Sequence, residues 1–226
     1  MVLLVCLVPF YLFIAGRARG GVAYAPELSL DRLLPLVPAS ALVYGALYAF
    51  LIALPVLVIQ TRELVHRTVR AYLAVWIAAY ICFLLYPTVA PRPEQLTGGG
   101  YATWGLRFLY GADPPYNCFP SLHVAHSFVS ALASYRVHRT LGFVAIASAS
   151  LVGLSTLFTK QHYVADVIAG MLLAVVAYAI FLRGYSRASI SDPDHRVAPF
   201  LALVVAGFIA FGFASCWVAF KLGVQL

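Results

Sequence analysis

The sequence predicts an all-α fold, a polytopic transmembrane helical bundle, and three observations carry that prediction. Of 226 residues, 63% are hydrophobic and only 10% charged. Long apolar runs recur along the whole chain. None of them alternates with period two, which argues against a membrane barrel. A mean hydropathy of +0.91 is beyond that of soluble domains of this size. In hydrocarbon, backbone polar groups must be satisfied within the spanning element, so such runs are read as helices.

The first run, residues 1–16, reads as a span, because no basic region precedes it and no clear small-residue cleavage site follows. Segment 17–35 is polar, with Leu28, Leu30, Leu33 and Leu34 set among Glu27, Asp31 and Arg32. That pattern fits a short helix lying along the interface, or a linker. Runs 36–60 and 70–89 are each long enough to cross roughly 30 Å of hydrocarbon. Segment 90–120 holds Gly98-Gly99-Gly100 and Asp113-Pro114-Pro115 and is expected to be an ordered loop capping the active site. Runs 121–137, 141–159 and 162–182 are joined by very short connections, which makes them adjacent antiparallel helices; 121–182 is the expected catalytic region. Run 198–220 adds one C-terminal span to this six-helix core, and residues 1–226 form a single membrane domain.

The net charge of +7 does not point to nucleic acid, because the basic residues are spread singly through short connections. Arg62, Arg67, Arg139, Arg183, Arg187 and Arg196, with Arg70 and Arg136 at the edges, fall on one side of the expected bundle. The positive-inside rule makes that side cytoplasmic and turns loop 90–120 outward, as in a cell inner membrane with an extracytoplasmic active site, although Arg17, Arg19 and Arg32 pull the other way. Cys6, Cys82 and Cys216 lie in apolar runs and Cys118 in a loop, without disulfide or metal-type spacing.

Ionisable residues at membrane depth are costly and mark function. Three clusters emerge on one side: Ala90-Pro91-Arg92-Pro93, Asn117 to His123, and Lys160 to Asp166. His162 and Asp166 are four apart, so on a helix they share a face. A carboxylate there holds the imidazole in one tautomer and stabilises the cation formed when its other nitrogen attacks an electrophile. Such a pair can also simply pin two helices. Pro120 suits the first position of a helix, whose free amides near Ser121 and Leu122 would bind an anion, with His123 as general acid one turn in. Arg92 and Lys160 supply positive charge for a phosphoryl group, unless they merely snorkel to the interface. Asn117, His126 and Tyr163 are candidates to support these groups from behind, while Tyr86 and Tyr116 read as packing residues.

Pro120-Ser121-Leu122-His123, and the run from Ser155 to His162 and Asp166, resemble the P-S-x-H and S-R-x5-H-x3-D signatures of the phosphatidic acid phosphatase type 2 superfamily. Arg92-Pro93 resembles the end of its K-x6-R-P signature. The resemblance implies a helical-bundle enzyme working without metal or cofactor through a phosphohistidine. Carried over by position, His162 is the nucleophile, Asp166 its orienting partner, His123 the proton donor, and Arg92 and Ser121 phosphate ligands. Two positions depart from the pattern: Leu85 stands where Lys is expected and Thr156 where Arg is expected. Lys160 is a candidate substitute for one of them. With these departures the chain resembles the branch of inositol phosphorylceramide synthases and related headgroup transferases, whose phosphodiester substrates carry one negative charge fewer.

The expected function is thus a membrane-embedded lipid phosphatase or phosphotransferase, with headgroup transfer as the alternative. The expected partners are a lipid phosphate or phospholipid and the bilayer, with no nucleic acid; the oligomeric state stays open. Two other classes compete. His123, His126, His162 and Asp166 could form a zinc site, and a bundle lacking two cations could be a non-catalytic transporter or scaffold.

Overall fold

The structure, a computed structural model, describes residues 7–186 and 192–224. Residues 1–6 of the expected first span, and Arg187, lie outside the described residues. The helices in chain order are α1 (Val8–Arg19), α2 (Ser29–Leu33), α3 (Ser40–Val58), α4 (Arg62–Leu85), α5 (Tyr101–Ala112), α6 (Leu122–Val137), α7 (Arg139–Phe158), α8 (Val164–Ala177, ending in a π-helical turn Tyr178–Leu182) and α9 (Asp192–Lys221). Among the described residues, extended pairing is limited to the isolated bridges Tyr24–Thr88 and Val89–Tyr116. Among the described residues, five helical segments are long and apolar enough to cross a bilayer: Ser40–Val58, Arg62–Leu85, Arg139–Phe158, Val164–Leu182 and His195–Lys221. The protein is an integral membrane protein with a helical-bundle fold.

Helix α6 is the axis of the bundle and touches α3, α4, α7, α8 and α9. Its composition explains this place. Ala125, Ala131, Ala133, Ser127, Ser130 and Ser134 are buried small residues, which let neighbouring helices approach closely where lipid offers no hydrophobic drive. The Ser130 hydroxyl donates to the Leu51 carbonyl of α3. At the α6–α7 turn, a Cβ on Gly142 would lie 2.3 Å from Tyr135 Cα, so only glycine fits there. The outer surface carries Ile77, Ile81, Phe143, Leu154, Phe208 and Phe211, the large exposed apolar side chains a lipid-facing wall requires.

Three sequence expectations change. Segment 61–69 is not a loop, because α4 starts at Arg62, eight residues ahead of the expected span. Leu64 is fully buried there, the Thr68 hydroxyl donates to the Leu64 carbonyl at 2.7 Å, and Glu63 pairs with Arg67 at 2.8 Å one turn on, so polar residues continue the helix past the apolar run. Within 17–35 only Ser29–Leu33 is a short helix, since α1 runs on to Arg19. Loop 90–120 contains α5, which the Pro and Gly content concealed.

At the end of the bundle away from residues 90–120, arginines close the gaps between helices. Arg67 donates to the Phe181 carbonyl at 3.3 Å, and Arg136 donates to the carbonyls of Arg183 and Tyr185.

Candidate active site

The turn between α7 and α8 carries His162. Lys160 adopts φ 55°, a left-handed conformation that reverses the chain, and the Gln161 and His162 amides both donate to the Thr156 carbonyl, at 2.9 and 3.3 Å. Helix α8 begins at Val164, so Asp166 sits in its first turn. One carboxylate oxygen accepts the Tyr163 amide at 2.9 Å and lies 3.3 Å from His162 Nδ1. Asp166 therefore caps the helix and holds the imidazole together. Asp166 is fully buried and His162 nearly so. With Nδ1–H donated to the carboxylate, Nε2 keeps its lone pair.

That bare nitrogen lies 3.1 Å from His123 Nδ1. Helix α6 begins at Leu122 rather than at Pro120, because Ser121 is the cap: its Oγ accepts the Val124 amide at 3.3 Å. The Ser121 amide is not free for an anion, since it donates to the Asp166 carbonyl at 3.0 Å. This bond ties the starts of α6 and α8 together. Gly170 permits it: a Cβ there would be 2.5 Å from the Ser121 carbonyl oxygen. Tyr44 and Tyr48 set their rings edge-on to His123, with centroids at 5.5 and 5.1 Å.

Arg92 and Lys160 part company. The Arg92 guanidinium stacks over the Tyr110 ring at 4.5 Å, donates to the Asp113 and Tyr110 carbonyls at 2.8 and 3.2 Å, and lies 3.7 Å from the Asp113 carboxylate. It belongs to the histidine cluster, because the same carboxylate is 3.9 Å from His123 Nε2. Lys160 instead donates to the Asp31 and Leu34 carbonyls, at 3.2 and 2.7 Å. The left-handed turn at Lys160 aims it at the segment around α2. Asp31 joins the same clamp by accepting the Val164 amide at 2.8 Å, so the segment around α2 braces the turn that carries His162.

Asp113 and Tyr11 are residues that sequence reasoning missed. The Tyr11 hydroxyl donates to Asp113 at 2.8 Å. A signal existed: Asp113 is the sole carboxylate between Glu94 and Asp166. Asn117 donates to the Tyr11 carbonyl at 3.0 Å, and the Thr88 hydroxyl accepts the Cys118 and Phe119 amides at 2.8 and 3.0 Å, which anchors the approach to α6. Tyr110 donates to the Thr159 carbonyl at 2.6 Å, linking α5 to the His162 turn; burial pushes its hydroxyl up to about 12, against the pull of Arg92. Tyr163 caps α8 through its backbone, and burial raises its hydroxyl to about 12.

A cavity of about 130 Å³ is lined by Tyr11, Asp113, Asn117, His123, His126 and His162, among others. It shares Val8, Tyr48, Trp76 and His126 with an apolar cavity of about 440 Å³ between α3 and α4, which continues past Ile52 and Tyr72 to Ile59 and Val65. Among the described residues, Arg92 Nε, Asn117 Oδ1, His126 Nε2 and one oxygen of Asp166 are buried without a hydrogen-bond partner. Such groups call for a ligand or water. Leu85 is 80% exposed and Thr156 is fully buried with its hydroxyl on the Gly153 carbonyl, so neither brings charge to the cavity.

Among the described residues, the metal-type grouping is Cys118, His162 and Asp166, whose ligand atoms fall within 4.8 Å of one another, not the set of three histidines and Asp166 considered from the sequence. Burial and the Asp166 charge push the Cys118 thiol well up, which disfavours the thiolate a metal needs, and Asp166 is already engaged by Tyr163 and His162.

A model of the PAP2 superfamily matches residues 25–180. A PA-phosphatase related-family protein of Dictyostelium discoideum is 30% identical over 134 residues, 53% of this chain and 24% of that protein. An uncharacterized protein of Methanocaldococcus jannaschii is 30% identical over 95 residues, 42% of this chain and 39% of that one. The chain thus spans well under half the length of the curated relatives it matches. No solved structure matches it.

Proposed function

The chain belongs to the PAP2 superfamily, and on that premise we propose that it is a metal-independent lipid phosphatase, or phosphotransferase, acting through a phosphohistidine. The observation that carries this reading is the line Asp166, His162, His123: a carboxylate 3.3 Å behind one imidazole, whose free nitrogen faces a second imidazole at 3.1 Å. His123 and His162 line the cavity of about 130 Å³, which shares walls with the apolar cavity of about 440 Å³, and that adjoining apolar space supports a lipid as the substrate.

Substrate phosphate displaces the contact between the histidines, and Arg92, with its unpaired Nε, binds it. The His162 Nε2 lone pair attacks phosphorus, the bond to the lipid oxygen breaks, and that oxygen takes the Nδ1 proton of His123 and leaves as an alcohol. Asp166 stabilises the charged His162. Water then attacks phosphorus, gives its proton to His123 Nδ1, and the P–N electron pair returns to His162. Ser121 contributes by seating His123; its amide and hydroxyl are held by Asp166 and Val124.

The test is inorganic phosphate release from a panel of lipid phosphates, in detergent with chelator, by the native protein and His162→Ala. Release that survives chelator and vanishes in the variant supports the reading. Loss in chelator with recovery on adding zinc overturns metal independence.

Headgroup transfer is the second reading, favoured by the charge of the site. Arg92 is paired with Asp113, and Leu85 and Thr156 are uncharged, which suits a phosphodiester monoanion better than a monoester dianion. Turnover of a phospholipid only when an alcohol acceptor is supplied would select it.

Arg62, Arg67, Arg70, Arg136, Arg139 and Arg183 gather at the end remote from His123 and His162, which supports an inner-membrane protein with its active site on the extracytoplasmic face. An impermeant thiol reagent should label a cysteine placed at exposed Gly99 in intact cells; labelling only after lysis would reverse the orientation.

A further inference from the structure

We infer that Asp113 is a positioning residue that keeps the proton donor His123 charged and aimed, so that this enzyme backs each of its two histidines with its own carboxylate. The inference rests on the phosphohistidine reading and adds to it a residue that no part of the signature pattern contains.

His162 Nε2 holds a lone pair, because Nδ1 is turned to Asp166. The His123 nitrogen facing it at 3.1 Å is Nδ1, which must therefore carry a hydrogen. The opposite nitrogen, Nε2, is turned to an Asp113 oxygen at 3.9 Å. In a neutral His123 with its hydrogen on Nδ1, Nε2 would point a lone pair at a carboxylate. In the imidazolium both nitrogens are donors and both face acceptors. A charged imidazole among apolar helices needs an anion beside it to persist. Among the described residues, the other ionisable groups facing His123 are Arg92, His162, Tyr44 and Tyr48, with His126 one turn along α6, and none is a carboxylate. Among the described residues, Asp113 is the group that meets that need.

Asp113 is itself held in place. Tyr11 from α1 donates to one carboxylate oxygen at 2.8 Å, which leaves the other toward His123. Arg92 fixes the backbone by donating to the Asp113 carbonyl at 2.8 Å. The 3.9 Å gap is longer than a hydrogen bond, as catalytic contacts often are before substrate closes the site. When the lipid oxygen leaves, the His123 Nδ1–H bond breaks and the proton passes to that oxygen. His123 is then neutral and takes the proton of the attacking water, which restores the imidazolium that Asp113 stabilises for the next cycle.

Asp113→Asn tests this, because it keeps the size of the side chain and an oxygen for Tyr11 while removing the charge. Single-turnover release of the leaving group is measured for the native chain and the variant with two probes. One is a lipid phosphate with an alkyl alcohol leaving group; the other is p-nitrophenyl phosphate, whose leaving group departs without a proton. The expected result is about a 10–100-fold slower release of the alkyl alcohol, with p-nitrophenol release within about threefold of native. Equal loss with both probes means Asp113 is only structural, and no loss with either means it is idle; each overturns the inference while leaving the phosphohistidine reading intact. A native chain inactive on both probes overturns that reading, and this inference with it.

Discussion

Replacing Asp166 with Asn should abolish turnover while leaving the bundle folded, and the structure sets the size of both effects. Asp166 accepts two donors, the Tyr163 amide at 2.9 Å and His162 Nδ1–H at 3.3 Å, with no solvent access. Asparagine has one acceptor oxygen. If that oxygen keeps the Tyr163 amide, the helix cap survives and stability falls by no more than about 1 kcal/mol. The same oxygen also keeps His162 Nδ1–H, since a single carboxylate oxygen makes both contacts, and the side-chain amide takes the place of the oxygen without a partner. The ring therefore keeps its tautomer but loses the negative charge that stabilises the cationic, phosphorylated imidazole. Removing the carboxylate behind a catalytic histidine in a comparable arrangement costs roughly 10⁴-fold in rate. The assay is single-turnover phosphate release from the best lipid phosphate, beside thermal unfolding in detergent. Turnover within about tenfold of native would refute the role of the Asp166 charge. Equal collapse of stability and activity would show that Asp166 acts chiefly as a cap.

Other consequences can be checked alongside. Gly170→Ala places a methyl 2.5 Å from the Ser121 carbonyl and should cost about 1–3 kcal/mol of stability, with a rate loss of up to about 100-fold as His123 is pushed from His162; a native rate would show that α6 and α8 can part freely. Thr68→Phe fills the cavity between α3 and α4, so KM should rise for long-chain substrates and stay unchanged for short-chain ones; an equal change for both would remove that cavity from substrate binding. Arg92→Lys keeps the charge but loses the planar fork that stacks on Tyr110 and reaches two carbonyls, and should lower kcat/KM about 10–100-fold; unchanged kinetics would mean that Arg92 only secures α5.

The residues that sequence reasoning brought to one place share a property: their spacing along a helix fixes their geometry. His162 and Asp166 meet because they are a turn apart, and His123 and Arg92 stand at span ends that emerge on the same side. Lys160 shares that position in sequence yet is drawn to Asp31 and Leu34, because a positive φ at one residue redirects the chain, and no local pattern announced it. The anion site expected at the free amides of Ser121 and Leu122 changes for a similar reason. Whether the Ser121 amide is free depends on whether α8 comes close enough to offer the Asp166 carbonyl.

The sequence by itself determined the environment and the order of events along the chain: apolar runs that only helices can satisfy, charges confined to their ends, and a histidine–carboxylate pair with a fixed helical offset. These are properties of single elements, and the physics of the bilayer enforces them whatever the neighbours do. Tertiary structure decided what lies between elements. It brought Tyr11 of α1 together with Arg92 and Asp113 of the 90–120 segment around His123, set the histidine cavity beside the one between α3 and α4, and set α6 against α8 at the closeness Gly170 allows. Contacts between distant segments depend on how small residues let helices approach and on where loop hydrogen bonds terminate, and neither is written in any one stretch of the chain.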